Sequence, residues 1–282
     1  MTTSVFLAVL LAAALHATWN ALVKGGADKH LTMACVIIGH IPLAAIAMVI
    51  EPIPARESWP YLAAGVVLHF GYQLFLLSSY RIGDLTQVYP IARGSAPLLV
   101  AAISVLFLGV VLSAMEVAAV LIIGAGIVSL GLVRNQAGTR NRKAAALALA
   151  TGCFIASYSL VDGLGARLSG TVLGYYAWLG MANALLFALY IGITKPTVLG
   201  RMRTEAQKTF WIGGSASFIA YALVIWAFTQ APIALVTALR ETSIIFALGI
   251  GVIFLKEKID LAKVASTFMT LLGAALLRFS KG

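Results

Sequence analysis

The sequence predicts an all-α integral membrane protein: ten transmembrane helices in two inverted five-helix repeats. Three observations carry that prediction. Of 282 residues, 61% are apolar and only 11% are charged, with a mean hydropathy of +0.98, whereas soluble domains run at about 45–50% apolar and about 25% charged. The apolar residues fall into long runs almost free of charge. The second half of the chain also echoes the first at a fixed shift. A water-soluble globule is excluded, and so is a disulfide scaffold, since Cys35 and Cys153 each lie in an apolar run and read as small buried hydrophobes.

Roughly 20 apolar residues cross a bilayer as a helix. Runs of that kind occupy 4–23, 31–50, 58–80, 85–110, 117–133, 144–161 and 168–194. The next run, 209–239, is too long for one span and is divided at the turn signal Thr229-Gln230-Ala231-Pro232. Spans are therefore expected near 209–228, 233–255 and 260–278. Only short connections remain, with no room for a separate soluble domain. The first span lacks a basic n-region and a small-residue cleavage site, so it reads as a retained helix. Trp59, Tyr61 and Trp211 fall at span ends as interfacial anchors.

The net charge of +10 is a topology signal, with no nucleic-acid partner implied. Loops after odd-numbered spans hold 14 of the 20 Lys and Arg residues, and the opposite side holds 4. The positive-inside rule places the odd loops in the cytoplasm and both termini outside. Two arginines, Arg93 and Arg240, belong to neither side and fall inside spans four and nine.

A shift of 147 aligns Arg93 with Arg240, Ser95 with Thr242, Phe107 with Phe254 and Gly126 with Gly273, without a gap. Shifts of 138 and 149 add Leu160-Val161-Asp162-Gly163 against Leu22-Val23-Lys24-Gly25, and Tyr221 against Tyr72. The chain divides into repeats 1–137 and 138–282. Five is odd, so the second copy enters the membrane upside down. Inverted repeats put a binding site at the midplane between the halves and permit alternating access, which is the pattern of a secondary transporter.

The stretch Ala231-Pro232-Ile233-Ala234, Leu239-Arg240-Glu241-Thr242 and Phe254-Leu255-Lys256-Glu257 resembles the EamA family of the drug/metabolite transporter superfamily. Leu15-His16-Ala17-Thr18-Trp19-Asn20-Ala21-Leu22 is similar to a subset of it. The resemblance spans the chain and implies a ten-helix basket in a bacterial inner membrane that exports small metabolites, nearest to amino-acid exporters of the YddG type. Two features depart from the family. Gly109-Val110 replaces an acidic residue often found after the fourth helix, though Glu257 is kept in the second half. Family members are also commonly drawn with cytoplasmic termini.

Charges inside a membrane are costly, about +2.5–3.5 kcal/mol for an arginine at a helix centre, and mark functional sites by default. Arg93, Arg240 and Glu241 are the three expected there. Arg93 shares a face with Tyr89, and Pro90 and Pro97 in the same span read either as a local opening that offers carbonyls to a ligand or as a structural kink with the arginines bonded to backbone carbonyls. Arg240 and Glu241 are adjacent, so on a continuous helix they diverge by about 100° and pair poorly. Glu241 either pairs with Arg93, meets a substrate ammonium or takes up a proton, while an arginine suits a carboxylate through its planar fork. His16, Trp19 and Asn20 share one face of the first span. His69, Tyr72, Gln73 and Tyr80 line a stripe of the third, and Tyr221 and Trp226 match that stripe by symmetry. These residues read either as a cavity wall or as interhelical hydrogen bonds. His40 reads as structural, and Tyr175, Tyr176, Trp178 and Asn183 as cavity or core.

The expected function is a secondary transporter for a small-molecule substrate, with amino acids first, aromatic or hydrophobic ones included, and a coupling ion or exchanged solute. Carriers of organic cations, or of nucleotide sugars and phosphate esters, are the alternatives. No Walker sequence, His-Glu-x-x-His or Gly-x-Ser-x-Gly occurs, so neither an ATP-driven pump in this chain nor an enzyme is expected. No cofactor or metal is expected.

Overall fold

A computed structural model describes residues 1–82, 85–132, 142–253 and 261–279, and among these every regular element is helical. Helices are what a bilayer requires, because a lipid-exposed segment must satisfy its backbone hydrogen bonds internally. They are α1 (Thr3–Gly25), α2 (Lys29–Ile38), α3 (Ile41–Ile50), α4 (Trp59–Ile82), α5 (Leu85–Phe107), α6 (Ala114–Leu132), α7 (Arg142–Leu168), α8 (Val172–Thr194), α9 (Pro196–Glu205), α10 (Gly214–Gln230), α11 (Ile233–Arg240), α12 (Ser243–Ile253) and α13 (Leu261–Phe279). Helix starts are capped where the sequence offers a short polar residue. Asp28 accepts from the N–H groups of His30 and Leu31 to start α2, and Thr171 accepts from Gly174 N–H to start α8.

Among the described residues, six helical segments are long and apolar enough to cross a membrane: 3–23, 29–50, 56–79, 143–168, 172–194 and 209–230. Shorter apolar helices occupy 91–107, 114–129 and 264–279. The outer surface is apolar, with Val49, Phe107 and Val111 among its most exposed side chains. That surface belongs in lipid, and the protein is a multi-pass membrane protein.

The second expected span falls within the 29–50 segment and is kinked at Gly39-His40, because Pro42 near the start of α3 has no N–H to continue the helix. Three expectations are corrected. The sixth span does not end at 161: α7 continues to Leu168 and carries Asp162 into the bundle, fully buried. The Pro-rich fourth span does not open, since α5 runs unbroken from Leu85 to Phe107. The ninth span opens instead, at Glu241-Thr242, where successive i→i−3 bonds tighten the backbone: Glu241 N–H to Ala238 O (3.1 Å), Thr242 N–H to Leu239 O (3.0 Å) and Ile244 N–H to Glu241 O (3.1 Å). The Lys256-Glu257-Lys258 turn lies outside the described residues, as does most of the basic loop before α7.

In the packing, α7 lies against α4 and α5, α1 lies against α10 and α12, α6 meets α13 and α3 meets α8. The break after α2 rests directly on the start of α10. A Cβ added at Gly214 would sit 2.7 Å from Gly39 Cα, closer than any real Cβ contact. Gly214→Ala is therefore expected to lower stability by about 1–3 kcal/mol. Gly249→Ala, where nothing lies within 4 Å, is the control and should leave the thermal unfolding midpoint in detergent nearly unchanged. Equal midpoints for the two variants would refute the close-packing account.

The amphipathic α9 clamps the α1–α2 loop. Arg201 donates to Glu205 through Nε and Nη2 (2.9 Å each) and to Asp28 through Nη1 (2.8 Å). Burial, the largest single influence on Asp28, pushes its carboxyl up, but the N–H of Leu31, the Arg201 guanidinium and the N–H of His30 together hold it below the usual range. Hydrogen bonds to Glu205, then Asp28, hold Arg201 above its usual value. A depressed carboxyl contributes stability above its unfolded value, about 3.9, and loses it as pH falls through the folded value. The clamp is thus expected to hold at neutral pH and loosen only below about pH 4. The backbone amides of residues 26–32 should exchange slowly with deuterium at neutral pH, whereas Arg201→Ala should speed their exchange there.

Candidate functional site

Side chains from α1, α2, α4, α7, α8, α10 and α11 enclose a cavity of about 90 Å³ open to the centres of water molecules. One buried water needs about 10–15 Å³ on that measure, so the space holds several waters. Its walls are aromatic: Trp19 from α1, Tyr72 from α4, Tyr158 from α7, Tyr176 from α8 and Tyr221 from α10. Tyr158 stacks on His69 with ring centroids 4.1 Å apart, and His16 meets Trp19 edge to face at 4.9 Å.

One end of the cavity carries Arg240, the last residue of α11. Its guanidinium is buried, and Nε and Nη2 have no hydrogen-bond partner. Beside it, Arg93 Nε donates to Glu241 Oε2 at 2.9 Å, and Arg93 Nη2 reaches Ser243 Oγ at 3.5 Å. Arg240 Nε lies 3.9 Å from Glu241 Oε1. The expected divergence of Arg240 and Glu241 is therefore corrected. It assumed a continuous helix, whereas the chain turns at Glu241 and brings the two side chains into ion-pair range. Glu241 is engaged by Arg93, and the three groups together carry one net positive charge.

The walls also hold buried polar atoms without partners. Gln73 Oε1 on α4 and Asn183 Oδ1 on α8 accept no hydrogen bond, and both ring nitrogens of His40 are likewise unpaired. Buried polar groups are rarely left so, and each such atom is an open position for a ligand or water.

Behind the wall is a group that the sequence reading missed. Asp162 of α7 is fully buried, and its Oδ2 lies 2.8 Å from His69 Nε2 and accepts from Tyr221 Oη at 2.7 Å. Its Oδ1 has no partner. Taking Asp162 as the end of a charge-free run hid it; the signal was the further apolar stretch Gly163-Leu164-Gly165-Ala166, which lets the helix run on to Arg167. There Arg167 donates to the carbonyls of Phe228 (2.9 and 2.7 Å) and Ala231 (3.0 Å), closing the exposed end of α10.

Of the residues expected at the site, the cavity gathers His16, Trp19, His69, Tyr72, Gln73, Tyr221 and Arg240. Arg93 and Glu241 sit next to it. Asn20 is not brought there: its side-chain amide donates to His16 O at 2.8 Å within α1. Trp226 instead lines an apolar groove on the outer face with Ile46 and Ile219. The side chains of Tyr80 and Tyr89 lie outside the described residues. His40, expected to be structural, lines the cavity with Tyr158 and Asn183.

Fold and site together define a polytopic helical membrane protein with a polar, arginine-bearing cavity. Residues 142–279 match the model of the EamA-like transporter family, to which the second half of the chain is thus similar. One solved structure, titled only as a crystal structure of a protein, is similar over 98% of this chain and 96% of its own, with a TM-score of 0.74 at 19% identity. At that identity the likeness shows the fold alone. No curated protein matches the chain significantly.

Proposed function

We propose that the protein is a secondary-active transporter that exports small zwitterionic metabolites, amino acids first among them, by alternating access through this cavity. The observation that carries the reading is complementarity. A buried arginine with two unpaired donors faces the same space as two unpaired amide acceptors. An amino acid carries a carboxylate for the first and an ammonium for the second. Glu241 is not the amine's partner in this reading, because Arg93 already holds it. Aromatic walls give an ammonium or an apolar side chain a favourable face.

Two halves, 1–137 and 138–282, in opposite orientation fit the packing. If α7 corresponds to α1, then α7 on α4 and α5 corresponds to α1 on α10 and α12. The pairs α6 with α13 and α3 with α8 each join counterparts. Breaks in α2–α3 and α11–α12 lie where transporters commonly interrupt helices around a ligand.

Counterflow in proteoliposomes tests the proposal. Vesicles preloaded with one unlabelled amino acid should accumulate the labelled form above empty controls for at least one member of a twenty-amino-acid panel. If none moves while an organic cation or a phosphate ester does, the substrate class is wrong. If nothing moves, the transport reading falls.

A further inference from the structure

We propose that Asp162 is a proton-binding site that exchanges its proton with the cavity through His69 and competes with a bound substrate's ammonium; this rests on the transport reading above. The geometry restricts what Asp162 can bind. Its unpaired Oδ1 is sealed against α4, where a Cβ built at Gly65 would lie 2.6 Å from that oxygen and 2.8 Å from Leu179 Cδ1. Neither an ammonium nor a hydrated metal ion fits such a slot. A proton does.

Among the described residues, His69 is the bonded partner of Asp162 that can relay a proton, because imidazole carries two ring nitrogens. It lines the cavity and is 14% exposed, whereas Asp162 is fully buried. The remaining groups facing Asp162 are hydroxyls: Tyr221 from α10, Tyr175 and Tyr176 from α8, and Tyr158 from α7 itself. Arg93 of α5 and Arg240 of α11 stand farther off, near Tyr158. The short turn packed on α7 contributes only the exposed Arg56 and Glu57.

The charge balance supplies the coupling. Arg93, Arg240, Glu241 and Asp162 sum to zero while the histidines are neutral, so one added proton leaves the centre at +1. His69 and Gln73 are four residues apart on α4, and side chains at that spacing are about 5–6 Å apart. An ammonium held at Gln73 is therefore attracted by the Asp162 carboxylate beyond His69 and loses that attraction when the carboxylate takes up a proton, a difference on the order of tenfold. Substrate binding expels the proton, and proton binding expels the substrate. Moving in opposite directions, each drives the other.

Two measurements test this. Infrared titration of the purified protein, without any substrate, should show a protonated-carboxyl band that grows as pH falls, is missing in Asp162→Asn and has a displaced midpoint in Tyr221→Phe. An unchanged band in Asp162→Asn, or no pH-dependent carboxyl band, overturns the proton site whatever the protein transports. Should Asp162→Asn not fold, the Tyr221→Phe displacement decides alone. In proteoliposomes showing tryptophan counterflow, an imposed pH gradient should drive labelled L-tryptophan uphill in the wild type and not in His69→Gln. Counterflow without any gradient-driven accumulation overturns the coupling while leaving the transport reading intact. Absence of counterflow for the whole amino-acid panel removes the transport reading, and the infrared result then stands by itself.

Discussion

Replacing Arg93 by alanine is expected to destabilise the protein by about 3–5 kcal/mol. The change deletes the Nε donor that lies 2.9 Å from Glu241 Oε2 and leaves a carboxylate 2% exposed without its main counter-charge. Arg240, 3.9 Å from the other oxygen, retains part of the attraction and holds the loss toward the lower end. The diagnostic is rescue. Arg93→Ala combined with Glu241→Gln removes both charges and should recover most of the lost stability, because the penalty comes from the stranded ion rather than from the missing pair. Thermal unfolding in detergent, followed by size-exclusion recovery, reads both. A double variant no better than Arg93→Ala contradicts the pairing.

Arg240→Ala is expected to act the other way, sparing stability and removing binding. The Arg93–Glu241 pair survives in this variant; only the longer 3.9 Å approach of Arg240 Nε to Glu241 is lost, and Arg240 Nε and Nη2 make no hydrogen bond whose partner would be stranded. Losing a buried, charge-assisted contact to a ligand carboxylate costs on the order of 2–5 kcal/mol, which is about 30-fold or more in affinity. Arg240→Lys should recover only part of it, since an ammonium does not reproduce the planar fork. Equilibrium binding of the labelled amino acid with the largest counterflow signal, set beside the thermal midpoint, separates the two effects. Full affinity in Arg240→Ala removes this residue from the site.

The gross architecture was readable because it depends on composition and run length, which a bilayer constrains tightly. Expected spans fall on observed helices at α1, α4, α5, α6, α8, α10 and α13. Six of the crossing segments are long and apolar by length and composition; ten crossings remain part of the proposal. The breaks were misplaced for a local reason. Pro90 and Pro97 signalled an opening in α5, yet a membrane helix can keep its course through proline when its neighbours satisfy the freed backbone. At Glu241 no proline marks the turn, and the Arg93–Glu241 pairing draws the chain toward α5. Helical stripes found His16, Trp19, His69, Tyr72 and Gln73, because i, i+3 and i+4 positions share a face. Asn20 shared the stripe but bonds within its own helix, a choice that periodicity does not encode. Asp162 was lost because a charge was taken as a boundary. Its partners, His69 and Tyr221, are 93 and 59 residues away, and only the fold brings them together.

The central claim is that Arg240 receives a substrate carboxylate inside this cavity. The most direct test compares L-tryptophan with its decarboxylated amine, tryptamine, as competitors of amino-acid counterflow in wild-type and Arg240→Ala vesicles at matched protein levels. The wild type should prefer tryptophan by about 30-fold or more, and Arg240→Ala should lose that preference. Equal preference in both, or a wild type indifferent to the carboxylate, would contradict the account.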